Sequence, residues 1–343
     1  MMKSSQIESP LIEVSDVHIV HARSSSTLRK TSHVKAVAGI DLKIEYGETV
    51  ALVGESGCGK STLANAIIGV VKPSQGRIEV CGIDVANAST KARHEARKSV
   101  QMVFQDPYSS LNPRRQIGSS IAEPALNFKL VSKGRIREHV EGLLRQVGLD
   151  PSVASRYPDQ LSGGQLQRVC IARAISIKPK LLICDEATSS LDVSVQAQIL
   201  DLLHQVQRES GLALLIITHN LAVVRQLCSR TAVMYLGKIV EVGPTVDVFL
   251  SPQHPYTKAL LRSGLDLEDS SGKGVISQVI QGEMPSPSDP PSGCRFHTRC
   301  QLATDVCALN EPPLQTTSAE LNSRAVACWH SDLVTDWEPG CVF

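Results

Sequence analysis

Net charge is what this sequence lacks most. Its 35 lysines and arginines stand against 34 aspartates and glutamates, leaving +1 over 343 residues, so no basic field or polybasic arm recommends a nucleic-acid partner. Long apolar runs are missing too. The longest are stretches such as residues 212–217, far short of the ~20 residues a membrane-spanning helix needs. The amino-terminal stretch has no apolar core of a signal peptide, so the chain is expected to stay in the cytosol and to meet any membrane through partners. In that reducing compartment its ten cysteines read as free thiols or metal ligands, not as a disulfide framework.

What is present is ordered. The length accommodates one full α/β domain plus something smaller. Residues 11–20 alternate as a strand, the Ser- and Arg-rich stretch 22–33 reads as a long solvated loop, and 34–38 and 40–45 continue as strands. An antiparallel sheet is therefore expected to lead into the apolar run 49–53. Residues 91–98 read as a solvated basic helix face, 100–105 as a strand, and 117–147 as helical pieces broken at Pro124 and Gly134. The near-continuous apolar runs 180–186 and 212–217 suit buried parallel strands, with a helix over 195–207 between them. Residues 231–236 and 238–242 make a hairpin over Gly237. Strands alternating with helices predict an α/β core around a parallel sheet.

The organising motif is G-x-x-x-x-G-K-[ST], spelled by Gly54, Glu55, Ser56, Gly57, Cys58, Gly59, Lys60 and Ser61, with Thr62 following. It stands between a predicted strand and a predicted helix, the context its mechanism requires. Glycines let successive backbone N–H groups turn inward around an anion, and the helix beginning near Lys60 adds its positive end. Lys60 would reach the β and γ phosphates, Ser61 would ligate Mg²⁺, and Thr62 would donate a further hydrogen bond.

Phosphoanhydride hydrolysis also needs a held metal ion and an oriented water. Asp185 and Glu186 stand at the carboxyl end of a buried strand, where open α/β sheets bind ligands. Asp185 suits Mg²⁺, mostly through water, and Glu186 suits the water. Gln105 and His219 also end strands and can face the metal or the γ-phosphate, although a lone histidine or glutamine is more often structural or superficial. Leu161-Ser162-Gly163-Gly164-Gln165 precedes a helix and offers a second phosphate nest.

In this order, the phosphate loop, Gln105, residues 161–165, residues 181–186, Ser190-Leu191-Asp192 and His219 resemble the ATP-binding subunits of ABC transporters over about residues 11–265. Residues 104–114, 184–198 and 254–257 narrow the resemblance to the oligopeptide, dipeptide and nickel importer branch, and within it to the F-type member of a heterodimeric ATPase pair. The resemblance implies a P-loop NTPase fold with a RecA-like parallel-sheet core, an antiparallel β subdomain and a helical subdomain at about 107–178. It implies an ATP- and Mg²⁺-dependent ATPase that energises peptide import. Head-to-tail closure would place Ser162, Gly163, Gly164 and Gln165, with Asp192, against ATP held by a second ABC ATPase. The further partners implied are two transmembrane permease subunits and an extracytoplasmic substrate-binding protein, and the implied place is the cytoplasmic face of the inner membrane. Adenine would stack at His21, where relatives often carry an aromatic residue. A soluble ABC ATPase acting on a macromolecule is the alternative, but such proteins usually carry two cassettes or a long coiled-coil insertion, and neither is legible here. A nickel or modified-peptide importer remains open.

Residues 266–343 read as a separate carboxyl-terminal extension. Its composition turns to Ser, Gly and Asp, then Pro. Cys294, Cys300, Cys307 and Cys328 follow, with Cys341 near the end as a bystander. Little apolar content makes it a poor candidate for its own core, and a metal would help. The spacing lacks the tight C-x-x-C of most zinc ribbons. Four thiolates suit a 4Fe-4S cluster, with zinc or unligated thiols as alternatives. The resemblance extends to this segment and favours ligation by those four cysteines.

Overall fold

The computed structural model describes residues 9–24, 31–189, 191–265, 282–316 and 324–334. Strands β1 (Ile12–Ser24) and β2 (Thr31–Ile44) form a long antiparallel pair, with Ile12 opposite Ile44 and Ser24 opposite Thr31. Much of the stretch expected as loop is thus two-stranded ribbon, because cross-strand pairing satisfies the backbone even where side chains are polar. β3 (Thr49–Val53) leaves this layer and runs into α1 (Lys60–Ile67). β4 (Gln75–Val80) then returns to the free edge of β1, and β5 (Ile83–Asp84) completes a four-stranded sheet in the order β2-β1-β4-β5.

Helix α2 (Thr90–Ser99) buries only Ala96, as a solvated basic helix should. β6 (Val100–Val103) re-enters the main sheet. Next come the short α3 (Pro107–Ser110), α4 (Ile117–Asn127), α5 (Ile136–Gln146) and α6 (Gly163–Ile175), a helical layer around Ile121, Leu144, Leu166 and Ile171, all fully buried. Pro124 lies inside α4, and the chain turns only after Asn127. Its cost is outweighed by the buried face of Ile117, Ile121 and Ala125.

β7 (Leu181–Asp185), α7 (Val193–Ser210), β8 (Ala213–Ile217), α8 (Leu221–Leu227) and β9 (Arg230–Tyr235) complete the parallel core, in which β3 runs between β8 and β9. Every residue of β7 and β8 is buried, which is why both read as unbroken apolar runs. β10 (Lys238–Pro244) folds back antiparallel on β9 over Gly237, and α9 (Thr245–Leu250) and α10 (Pro255–Leu265) follow.

The carboxyl-terminal residues build α11 (Asp305–Leu309) and two short strands, β11 (Gln315–Thr316) and β12 (Ala325–Val326). β12 pairs with β10, Glu241 opposite Val326, and so extends the large sheet to eight strands in the order β11-β12-β10-β9-β3-β8-β7-β6. The attachment is deeply buried. Glu241, with no exposure, accepts hydrogen bonds from the Gln253 and His254 backbone amides at 3.0 Å each and pairs with the Arg324 guanidinium. His254 receives the Tyr256 amide at Nδ1, 3.0 Å away, and its other ring nitrogen bonds the Ala327 backbone. Burial holds this imidazole down at about 3, so it is neutral. Phe296 joins the main core against Tyr235 and Tyr256, with ring centroids 5.3 and 5.4 Å away. Among its described residues the segment packs into the large core.

Candidate nucleotide site

The phosphate loop is shaped by backbone that only glycine accommodates. Gly54, Gly57 and Gly59 adopt φ of 153°, 79° and 112°. A Cβ on Gly54 would stand 2.1 Å from the Met234 carbonyl oxygen, and one on Gly59 would stand 2.1 Å from that of Ala36. The loop is therefore clamped between β2 and β9, and the Gly237 amide donates to the Cys58 carbonyl at 2.8 Å. Ser56 is exposed beside Gly57, while Cys58 is buried and its thiol raised by that burial. Lys60, only 5% exposed, donates to the Gly54 and Glu55 carbonyls at 2.7 and 2.9 Å. Its ammonium thus already lies inside the loop, where phosphate oxygens can take over its bonds. Thr62 is half-buried on the first turn of α1.

Asp185 ends β7 beneath the loop. Burial raises its carboxyl, and the Ser61 side chain hydrogen-bonds it. Its buried Oδ1 has no hydrogen-bond partner. A hydroxyl and a carboxylate with a buried, unsatisfied oxygen are hard donors that fit Mg²⁺. Glu186 follows at φ 46°, a left-handed conformation held by its amide donating to the Ile217 carbonyl at 2.8 Å. Such backbone is costly in a non-glycine residue and typical of functional sites. It turns the carboxylate toward two residues from other strand ends. Gln105 Nε2 donates to Oε2 at 2.9 Å, and His219 Nδ1 stands 3.5 Å from Oε1. The four strand-end residues expected from sequence therefore meet.

The others lie apart from this cluster. Ser162 caps α6 in a reciprocal box with Gln165, its amide 3.1 Å from Gln165 Oε1. A Cβ on Gly164 would stand 2.5 Å from Val195 Cγ1, and one on Gly163 would stand 3.6 Å from Leu191 Cδ2, so the segment seats on the start of α7. Exposed Asp192 occupies the N-cap position of that helix. Exposed His21 pairs with Val34 on the β1–β2 ribbon, two residues before Ala36 at the loop. Ser190 and Cys341 lie outside the described residues.

Sequence patterns missed what braces the loop from outside. The Glu55 amide donates to Tyr256 Oη at 2.8 Å, and Arg299 Nη1 reaches both Glu55 carboxylate oxygens at 3.1 Å. The string His254-Pro255-Tyr256-Thr257 was a visible signal, but its partner stands 201 positions earlier.

Chain comparison now adds to the geometry. The ABC transporter family model matches residues 37–189, and the model of the oligopeptide/dipeptide transporter C-terminal region matches residues 240–307. A probable peptide ABC transporter ATP-binding protein of Sinorhizobium fredii is 49% identical, over 86% of this chain and 82% of that protein. The chain belongs to the ATP-binding proteins of ABC transporters. A di/tripeptide transport ATP-binding protein, DppF of Pseudomonas aeruginosa, is 46% identical over 88% of this chain and 91% of its own length. The dimeric ATP-binding cassette MJ0796, solved in a post-hydrolysis state with ADP and phosphate, superposes with a TM-score of 0.61 at 27% identity, covering 68% of this chain and 98% of that one. The ABC ATP-binding protein described here is accordingly an ATPase, and ATP with Mg²⁺ fits its site.

Its four carboxyl-terminal cysteines, Cys294, Cys300, Cys307 and Cys328, line one small cavity with His297, His330 and Trp329. Burial lifts the thiols of Cys300 and Cys328 to about 11 and about 12. Among the described residues no three such side chains are gathered closely enough to hold a metal ion, so the structure supports neither the 4Fe-4S cluster nor the zinc expected from sequence. No helix among them is long and apolar enough to cross a membrane.

Proposed function

We propose that this ATPase energises the import of dipeptides and oligopeptides through a membrane ABC complex, working peripherally at the cytoplasmic face of the inner membrane. The observation that carries the reading is the match of residues 240–307 to the oligopeptide/dipeptide transporter C-terminal region, on a chain whose relatives are named for peptide transport.

In this reading the loop amides and Lys60 bind the β and γ phosphates, and His21 stacks on adenine. Ser61, Asp185 and Gln105 hold Mg²⁺, which supplies neutralisation of charge between those phosphates. Glu186 orients the attacking water in line with the γ-phosphorus and takes its proton as the new P–O bond forms and the bond to ADP breaks. Gln105 and His219 fix the two carboxylate oxygens that do this. Ser162 to Gln165, with Asp192, cover the nucleotide of a second ABC ATPase, forming a heterodimer beneath two transmembrane permease subunits fed by an extracytoplasmic substrate-binding protein. Nucleic acid has no part in it.

The four cysteines are the ligands of a 4Fe-4S cluster. Four cysteines lining one cavity would supply the one thiolate per iron that such a cluster takes. Tagged protein drawn from gently solubilised membranes is expected to bring two multispanning proteins and a second ATPase. Recovery of soluble partners alone would overturn the importer reading.

A further inference from the structure

Among the described residues, the cysteine-bearing segment reaches the carboxylate of the phosphate loop through Arg299. Arg299, immediately before Cys300, is 7% exposed, and its Nη1 lies 3.1 Å from both carboxylate oxygens of Glu55 and 3.2 Å from Tyr235 Oη. Its guanidinium also lies over the Tyr235 ring, 5.8 Å from the centroid. Glu55 is the first residue after Gly54 in the phosphate loop and is held at every polar group: amide to Tyr256, carbonyl to Lys60, carboxylate to Arg299.

A carboxylate in this place is an electrostatic problem, because the loop exists to receive a polyanion. Like charges held close in a partly desolvated site repel strongly. Arg299 removes that opposition and, with Nη1 on both carboxylate oxygens, fixes the residue whose carbonyl occupies Lys60. We propose that Arg299, supplied from outside the cassette motifs, is a positioning residue for nucleotide binding: it neutralises and anchors Glu55 so that the loop accepts the phosphates. Arg299 need not touch the nucleotide. The inference rests on nucleotide binding at this loop and not on the transported solute.

The test uses the full chain, with Mg-ADP affinity measured by titration calorimetry and steady-state ATP hydrolysis measured alongside. Nucleotide binding by the unaltered chain separates failure of the site from failure of this inference. Arg299→Ala is expected to weaken ADP about tenfold, the loss of one charge-assisted contact. KM for ATP should rise with it while kcat at saturation holds. Arg299→Lys, which keeps the charge on a shorter, differently shaped head, should recover part of the affinity. In a Glu55→Gln background, where no carboxylate needs neutralising, Arg299→Ala should cost little further affinity. Unchanged affinity in Arg299→Ala, or the same loss in both backgrounds, would overturn the proposal. Should Arg299→Ala not fold, Arg299→Gln, which loses the charge but keeps a polar side chain of similar reach, decides: raised KM at constant kcat supports the role, and unchanged KM refutes it.

Discussion

The phosphate loop and the cysteine-bearing segment are neighbours built by opposite means. The loop is a backbone device, shaped by glycines at positive φ pressed against the carbonyls of Ala36 and Met234. The segment is a side-chain device, seated by Phe296 in the core, Arg324 on Glu241 and Arg299 on Glu55. One works by what its residues lack beyond Cα, the other by what they carry. A backbone site is consequently compact in sequence, whereas a docked one depends on partners 83 and 244 positions away.

That contrast can be broken most sharply on the catalytic side. Glu186→Gln keeps the shape of the Gln105 and His219 contacts but removes the proposed base, so turnover should fall by roughly 10³-fold with ATP binding retained. Single-turnover hydrolysis and nucleotide titration check both halves. On the docking side, Arg324→Leu strands the carboxylate of Glu241, which has no exposure. An unpaired buried charge costs about 3–5 kcal/mol, so a lowered urea midpoint and early proteolysis after residue 244 should appear together. The remaining effect is graded. His254 is held neutral, with its titration lowered to about 3 from 6.5. The unfolded chain therefore gains a proton that the folded one refuses, and stability is full above about pH 6.5 and is lost as pH falls toward 3, at up to about 1.4 kcal/mol per pH unit. Denaturation midpoints across that window should flatten in His254→Gln.

Much of the cassette was legible because its signals are local. The strand-loop-helix context of residues 49–67 could be read directly, and so could the apolar runs that carry Asp185, Glu186 and His219 to one end of the sheet. The ribbon at Arg23, Ser24 and Ser32 was not, because polar residues in a two-stranded pair owe their conformation to the opposite strand. Pro124 misled for a related reason, its local cost being covered by packing on one side of α4. Glu241 looked like an ordinary polar position in a hairpin, since nothing nearby announces Arg324. The four cysteines suggested ligation, but not that the same segment would brace the phosphate loop.

The pairing of β12 on β10 sets a schedule for the newborn chain. Translation runs at about 5–20 residues per second, so after Pro244 emerges the outer edge of β10 waits roughly 4–16 s before Val326 exists to cover it. During that interval the sheet offers a row of unpaired amides and carbonyls to any passing strand. A ribosome that stalls or terminates early in this stretch would release a cassette with every ATP motif already made and a sticky margin, so β12 acts as the seal on that edge.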